Sequence, residues 1–403
     1  MNGIAASRPA AAAPWPTILL VVGAGVVSAF QVGKAPMALD AIRTDLGLDL
    51  ATASWLLSAF AVIGALAGIG IGVAVDHIGA RRVALGGLLL QAACGALGTL
   101  ADGAPLLLAT RVVEGLGFLA VGVAAPALIV SVAPPSAQAR AFAVWSTFMP
   151  VGIAMVMLGV PLLSASGWRG FWLVNAVILA GYAGLLAAGT RGIPVHISAR
   201  RNIANDVRDT LAAPGPWMLA GLFAAFATSF FAVFGFLPSI LSGRLGAGLE
   251  TATFLTAAAV ASNAAGNIAG GVLLARGVRR AHILLIGFGT IALSGFGILA
   301  EGTPGWLAFA LCVAFSAVSG IVPVAIIDGA ARHAPRPDLV GTTVGFIMQG
   351  NNVGLMLGPA AAGALAVRFG WPSVSFFVAA AAVAAGLLAV FLQARPAEHA
   401  RRA

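Results

Sequence analysis

The chain has 403 residues, 60% of them hydrophobic and only 9% charged, with a formal net charge of +9. A soluble domain carries about 25% charged and about 45–50% apolar residues, so this composition excludes a water-soluble enzyme, a disordered chain and a protein held by a single anchor. It leaves a polytopic helical membrane protein: a span takes about 20 apolar residues, and the long continuous runs here are unlike the alternating segments of about 10 residues that build a β-barrel.

In chain order, residues 1–16 read as a disordered, Ala/Pro-rich cytoplasmic tail. The apolar stretch from Ile18 to Phe30 has no small-residue cleavage site behind it and many spans ahead of it, so it reads as a retained helix and not a signal peptide. Apolar runs between charged or Pro/Gly-rich breaks predict spans at 17–39, 52–75, 82–101, 106–131, 140–164 and 170–190, then at 215–241, 250–275, 281–300, 305–328, 340–366 and 372–393. The predicted fold class is therefore all-α, with twelve transmembrane helices in two six-helix bundles, 17–190 and 215–393. Between them lies a cytoplasmic linker, 191–214, which carries Arg191, Arg200, Arg201, Asp206, Arg208 and Asp209. A second cytoplasmic tail covers 394–403.

Lys/Arg bias places basic loops in the cytoplasm. With the N-terminus inside, sixteen arginines fall on the inner side and only Arg43, Arg169, Arg244 and Arg368 on the outer, while Lys34 and Arg111 fall within spans. Both termini are expected in the cytoplasm, and topology accounts for the basic excess without nucleic acid. Cys94 and Cys312 fall in apolar runs and read as buried free thiols.

The two halves repeat one another. Pro36 matches Pro238, Gly72 matches Gly271, Pro126 matches Pro323, Gly152 matches Gly354 and Gly167-Trp168 matches Gly370-Trp371, in order and at nearly constant offset. Such duplications are typical of secondary transporters, with the substrate near the midplane between the repeats.

Between the second and third spans stands GVAVDHIGARR, Gly72 to Arg82. It resembles the loop signature of the major facilitator superfamily, G-x-x-x-D-[RK]-x-G-x-[RK]-[RK], with His77 the one departure. The resemblance implies that Gly72, Asp76, Gly79, Arg81 and Arg82 form a cytoplasmic gate motif stabilising an outward-facing state. A shorter copy from Gly271 to Arg280 has Ala275 in place of the acid. RVVEGLG, Arg111 to Gly117, resembles the family's fourth-span signature, in which the arginine belongs to a proton- or substrate-linked network. Gly152, Gly159 and Pro161 loosely echo the exporter motif of the fifth span, and Gly354, Gly358, Pro359 and Gly363 give a better copy in the eleventh. Within the superfamily, Gly33-Lys34 and Pro36, with the fourth-span residues and Pro126, look most like the cyanate and nitroimidazole transporter branch.

Ionisable groups inside a membrane are functional candidates by default, and three lie well within spans: Lys34, Arg111 and Glu114. Lys34 and Arg111 fall at similar depth and are expected to form a positive pole for a small anion. Glu114 is the sole intramembrane acid and is expected to carry the coupled proton with Arg111. Equally, Arg111 and Glu114 can neutralise each other, with Lys34 snorkelling outward. Amides supply further substrate contacts: Gln31 and Asn175 in the first half, Asn263, Asn267, Gln349, Asn351 and Asn352 in the second. Trp55, Trp145, Phe230, Phe231 and Phe346 could wall a cavity.

No Walker loop, dinucleotide fingerprint or metal cluster is present in the sequence, so no cofactor is expected and no enzymatic activity. The leading expectation is a monomeric, proton-coupled secondary transporter of the inner (plasma) membrane, moving a small cyanate-like or carboxylate-like anion by rocker-switch alternating access. Its partners would be that small molecule, protons and the lipid bilayer, with no nucleic acid. The competing expectation is a drug/proton antiporter exporting hydrophobic compounds.

Overall fold

The computed structural model describes residues 14–192, 203–336 and 339–394, and these are helical throughout apart from short turns. Both predicted tails beyond those bounds, and linker residues 193–202, lie outside the described residues.

The first bundle consists of α1 (Trp15–Leu46), α2 (Leu50–Ile78), α3 (Ala80–Gly98), α4 (Ala104–Val132), α5 (Pro135–Trp145), α6 (Phe148–Met157) and α7 (Val160–Gly189). A short linker helix α8 (Ile203–Ala212) follows. The second bundle consists of α9 (Pro214–Phe234), α10 (Leu237–Leu245), α11 (Leu249–Ala275), α12 (Arg280–Leu299), α13 (Gly305–Ser319), α14 (Ile321–His333), α15 (Val340–Phe369) and α16 (Trp371–Ala394).

Eleven of the described segments are long and apolar enough to cross a membrane. The third predicted span, α3, falls outside that set because Arg81 and Arg82 occupy its first turn. It packs against α4 and α7 all the same. Large apolar side chains such as Leu66, Leu293 and Phe376 stand exposed on the molecule's flanks, where a hydrocarbon surrounding costs them nothing.

Several predicted spans are assembled from two helices. The fifth comprises α5, α6 and the start of α7. Gly167, with φ 67°, then turns the chain into the sixth span, and Gly370, with φ 78°, makes the matching corner between α15 and α16. A residue with a Cβ rarely takes this conformation, so the Gly-Trp repeat is a repeat of backbone shape. The halves differ at Pro36 and Pro238. Helix α1 continues through Pro36 to Leu46, whereas its counterpart breaks between Phe234 and Leu237 and restarts with Pro238 in the first turn of α10.

Helix α15 joins the bundles. One face carries Gly350, Gly354 and Gly358, which lie against the backbone of Ala220, Ala224 and Thr228 on α9. The four-residue spacing is matched on both helices, so backbones approach where side chains would otherwise hold them apart. The other face meets α2 of the first bundle: Asn352 lies on Gly64, Gln349 on Gly68, and Gly363 on Ser54. The helix pairs α1 with α10 and α6 with α11 also bridge the halves.

In the loop motif, Gly79 has φ 95° and separates α2 from α3 by a single residue. Arg81 donates from Nε to Thr190 Oγ1 at 2.9 Å and from its guanidinium to the Ala187 carbonyl at 2.7 Å. A cation thereby caps the C-terminus of α7, where carbonyls lack helical partners. Arg82 is exposed. The side chains of Gly72, Asp76 and His77 lie outside the described residues. Helix α8 is fastened to the second bundle by Arg336, which reaches Asp206 at 2.9 Å and Asp209 at 2.6 Å.

Candidate substrate cavity and a buried ionic cluster

A cavity of about 1900 Å3 lies between the bundles. It opens at the end where Arg279, Arg280, Arg332 and the C-terminus of α16 stand, and Arg280 pairs there with Asp328. At the other end the halves close on each other, with Ser239 donating to Asp40 Oδ2 at 2.6 Å.

The deep walls are aromatic. Phe118, Phe142, Trp145 and Phe148 come from α4, α5 and α6, and Phe223, Phe226, Phe230 and Phe231 from α9. Trp145 and Phe148 stack at 4.4 Å between ring centroids, and Phe226 and Phe230 at 5.8 Å. Polar groups are few, and five of the expected amides are among them: Asn263, Asn267, Gln349, Asn351 and Asn352. Three of these are partly committed. Asn263 donates to the Ser316 carbonyl at 2.9 Å, Asn267 to Asn263 at 3.4 Å and Asn352 to the Met348 carbonyl at 2.9 Å. Of the aromatics expected at the cavity, Trp145, Phe230 and Phe231 line it. Trp55 is exposed, and Phe346 packs edge-on against Trp217.

The charged candidates are elsewhere. Lys34, Arg111 and Glu114 do not line the cavity but form one cluster inside the first bundle, with side chains 0%, 1% and 0% exposed. Lys34 Nζ lies 2.8 Å from Glu114 Oε1, and the Arg111 guanidinium lies 2.5 Å from Glu114 Oε2. Arg111 also donates from Nε to the Leu56 carbonyl at 3.0 Å, and its guanidinium sits 4.5 Å from the Phe60 ring centre. Lys34 Nζ is 4.5 Å from the centre of the Trp172 ring. Cation–π contacts of this kind gain strength when desolvated, to about 2 kcal/mol or more.

Local sequence explains the cluster's geometry. Arg111 and Glu114 are three apart on α4 and therefore share a face. Gly95 on α3 makes room for the charges, since a Cβ there would lie 3.3 Å from Glu114 Oε1 and 3.7 Å from Lys34 Nζ. Gly115 meets the Phe60 carbonyl of α2 directly, which brings α4 close enough for Arg111 to reach Leu56.

Gln31 and Asn175 also lie off the cavity. Gln31 is fully buried on α1 with neither amide atom partnered, and Asn175 donates to the Phe171 carbonyl while its Oδ1 has no partner. The structure thus gathers the five second-half amides on the cavity wall and leaves the charges, Gln31 and Asn175 off it. Cys94 and Cys312 are free and buried.

Sequence reasoning missed three contributors. Gly64 and Gly68, the seats for Asn352 and Gln349, are spaced as a small-xxx-small pair, a signal that was available. Trp172 and Phe60, the rings beside the cations, carry no local signature. The partnership of Asp40 with Ser239 joins residues 199 positions apart, beyond any local pattern.

Two helical bundles related by duplication enclose a central cavity that is open at one end and closed at the other. The chain belongs to the Major Facilitator Superfamily, whose sequence profile matches residues 21–349 and, in a second overlapping stretch, 219–403. It is accordingly a multi-pass membrane protein of a transporter superfamily. Among solved structures, it superposes on a bacterial homolog of the human lysosomal transporter Spinster in an inward-facing, occupied conformation, with a TM-score of 0.71, 18% identity and 96% of each chain covered. The unoccupied inward-facing form of that homolog gives a TM-score of 0.67 at 18% identity, covering 94% of this chain and 95% of the other. At this identity the likeness is one of fold.

Curated relatives include a chloramphenicol resistance protein of Streptomyces lividans, 33% identical over 58% of this chain and 60% of the relative. Another is a tetracenomycin C resistance and export protein of Streptomyces glaucescens, 26% identical over 62% of this chain and 43% of the relative. The chain thus spans less than two thirds of the length of these relatives. They give the cyanate and nitroimidazole branch no support. The motifs that suggested it are short, and their charged residues Lys34 and Arg111 sit in the interior of the first bundle and not on the cavity.

Proposed function

We propose that this protein exports bulky, predominantly apolar aromatic compounds in exchange for protons. The observation that carries this reading is the cavity itself: its deep wall offers rings and amides, while all three intramembrane charges are turned away from it. Flat aromatic solutes gain from stacked and edge-on ring contacts, about 0.5–1.5 kcal/mol each beyond area burial, and amides can orient them without the cost of burying a charge. A volume of about 1900 Å3 exceeds the roughly 300–1000 Å3 of a pocket shaped to one ligand, which suits several related bulky solutes. The antibiotic resistance and export activities named for the Streptomyces relatives support the same reading.

The anion-transport reading is weaker. A small anion in the cavity would meet neither Lys34 nor Arg111, and the arginines that line the cavity stand at its mouth. Proton coupling is supported by the Lys34–Glu114–Arg111 cluster, because buried ionisable groups in a membrane mark proton relays. The excess of arginine at the open end supports a reading in which that end faces the cytoplasm across the inner membrane. The bundles bury their own interface, and the working unit is taken to be the monomer.

The test is transport of chloramphenicol by the purified chain in proteoliposomes under an imposed pH gradient, together with growth of a sensitive host with and without expression. Accumulation driven by the gradient supports the reading. Gradient-driven uptake of cyanate or small carboxylates with no movement of chloramphenicol would overturn it.

A further inference from the structure

We propose that the exchanged proton is held on Nζ of Lys34, with Glu114 and Arg111 serving as its fixed counter-charges. The inference rests on the proton exchange proposed above and assigns the atom that carries it.

Lys34 is the only lysine in the chain, and every other one of the 22 basic residues is arginine. Arginine stays protonated in proteins, whereas a lysine amine in an apolar site can give up its proton and take it back. Of the lysine and arginine side chains, the one able to exchange a proton thus stands fully buried inside the first bundle.

The cluster's connections separate a fixed cation from an exchangeable one. Arg111 is held by Glu114 Oε2, the Leu56 carbonyl and the face of Phe60. Lys34 Nζ has three possible donors and one hydrogen-bond partner among the described residues, Glu114 Oε1, plus the face of Trp172. Of the helices packed on α1, α4 turns Glu114 and Arg111 towards Lys34 and α3 turns the Cys94 thiol. Among the described residues, Glu114, Arg111 and Cys94 are the titratable groups that act on Lys34.

Charge counting then selects the atom. With both cations charged, the cluster holds two positive charges and one negative, an excess of one in a site without water contact. Protonating Glu114 would raise the excess to two. Removing one proton from Lys34 leaves the Arg111–Glu114 pair balanced and a neutral amine beside it. Since an uncompensated buried charge is the costly state, the loaded and unloaded forms that differ least from balance are those exchanged at Lys34.

The proposed proton route has one polar or void-bordering group on each side of the cluster. Arg111 borders a void of about 10 Å3 closed by Phe231, Gly235, Leu355 and Pro359 of the second bundle. When the bundles part at this end, water reaches the cluster, and a hydronium ion there converts the Lys34 amine to an ammonium and leaves a water molecule. Three residues earlier on the same face of α1 is Gln31, buried with both amide atoms unpartnered. In the form open at the opposite end, a water at Gln31 takes the proton from Nζ, restoring the amine, and passes it to the cavity.

The experiment uses the full chain, labelled with 15N at the lysine side chain and held in lipid nanodiscs. One Nζ resonance results, since there is one lysine. It is expected to change from ammonium to amine as the pH is raised from about 5 to about 11, a window that includes the lysine reference value of about 10.4, and to shift in the amine direction at constant pH when chloramphenicol is added. An ammonium resonance at every pH, with and without chloramphenicol, in protein that accumulates chloramphenicol on a pH gradient would overturn the assignment and leave the exchange reading standing. Wild-type protein that moves chloramphenicol with no response to the gradient would overturn the exchange reading itself and the assignment with it. In the transport arm, Lys34→Arg is expected to lower the ratio of gradient-driven accumulation to counterflow by about tenfold or more; an unchanged ratio would place the proton elsewhere.

Discussion

Ser239 donates a 2.6 Å hydrogen bond to Asp40 Oδ2, and this contact joins the two bundles at the closed end of the cavity. The partners descend from the duplicated proline region: Asp40 lies one helical turn beyond Pro36, and Ser239 follows Pro238. Asp40 is also bonded to Arg43 at 3.2 Å, so the carboxylate stands between a cation of its own bundle and a hydroxyl of the other. Because the contact exists only when this end is shut, its strength contributes directly to the balance between inward-open and outward-open forms.

Ser239→Ala removes that contact and keeps the Arg43 pair. A hydrogen bond to a charged group is worth about 1.5–3 kcal/mol at most, and partial exposure of Asp40 brings this down to about 1 kcal/mol, or roughly fivefold in the population of the outward-open form. Spin labels at positions 44 and 244, measured by electron–electron resonance, are expected to show a larger long-distance fraction in the variant.

The seat of α15 on α2 should be intolerant of bulk. A Cβ at Gly64 would lie 2.5 Å from Asn352 Oδ1, and one at Gly68 2.9 Å from the Gln349 side chain. Gly64→Ala pushes a flexible amide aside and should cost transport little. Gly64→Leu forces the helices apart at about 1–3 kcal/mol, and its transport rate is expected to fall about tenfold or more with expression retained, as read by efflux in cells and by yield after purification.

Glu114 holds two cations, so its loss should be the most damaging change in the cluster. Breaking a buried pair from one side costs about 3–5 kcal/mol because the partner is left uncompensated. Glu114→Gln leaves two such partners, while Lys34→Met leaves the Arg111–Glu114 pair intact. Thermal unfolding in detergent is expected to rank the melting temperatures wild type, then Lys34→Met, then Glu114→Gln; the reverse order for the two variants would deny Glu114 its central place.

Cavity aromatics and bundle-interior amides should separate in binding. Phe230→Ala and Trp145→Ala each delete a stacked ring from the wall, and loss of about 0.5–1.5 kcal/mol per ring contact raises the apparent Kd for chloramphenicol by about two- to thirteenfold. Asn175→Ala, whose side chain lies off the cavity, is expected to leave that Kd unchanged. Ligand-induced thermal stabilisation reports both.

Much of the architecture was legible in the sequence. Apolar runs located the twelve segments, and the Gly-Trp pair marked equivalent corners that the structure builds with equivalent φ angles. Helix ends were less legible. Helix α1 runs to Leu46 although its predicted span stops at 39, because the membrane-length criterion reads apolarity and the last turns, from Asp40, are polar yet still hydrogen-bonded as helix. The fifth span breaks at Ser146 and Thr147, for which no strong local breaker gives warning.

The sequence by itself determined that this is a duplicated helical membrane protein, and it named the three intramembrane charges, because hydrophobic length, repeat spacing and charge scarcity are properties of the chain read along one dimension. Only the tertiary structure decided which way those charges point. A soluble amphipathic helix announces its buried face through alternation of polar and apolar residues, but a span that is apolar all round gives no such signal, and its rotation is settled by small-residue packing against its neighbours. Here the glycines of α3 and α4 admit Lys34, Arg111 and Glu114 to the interior of the first bundle. The amides on α11 and α15 and the rings on α9 are left to form the surface that a substrate meets.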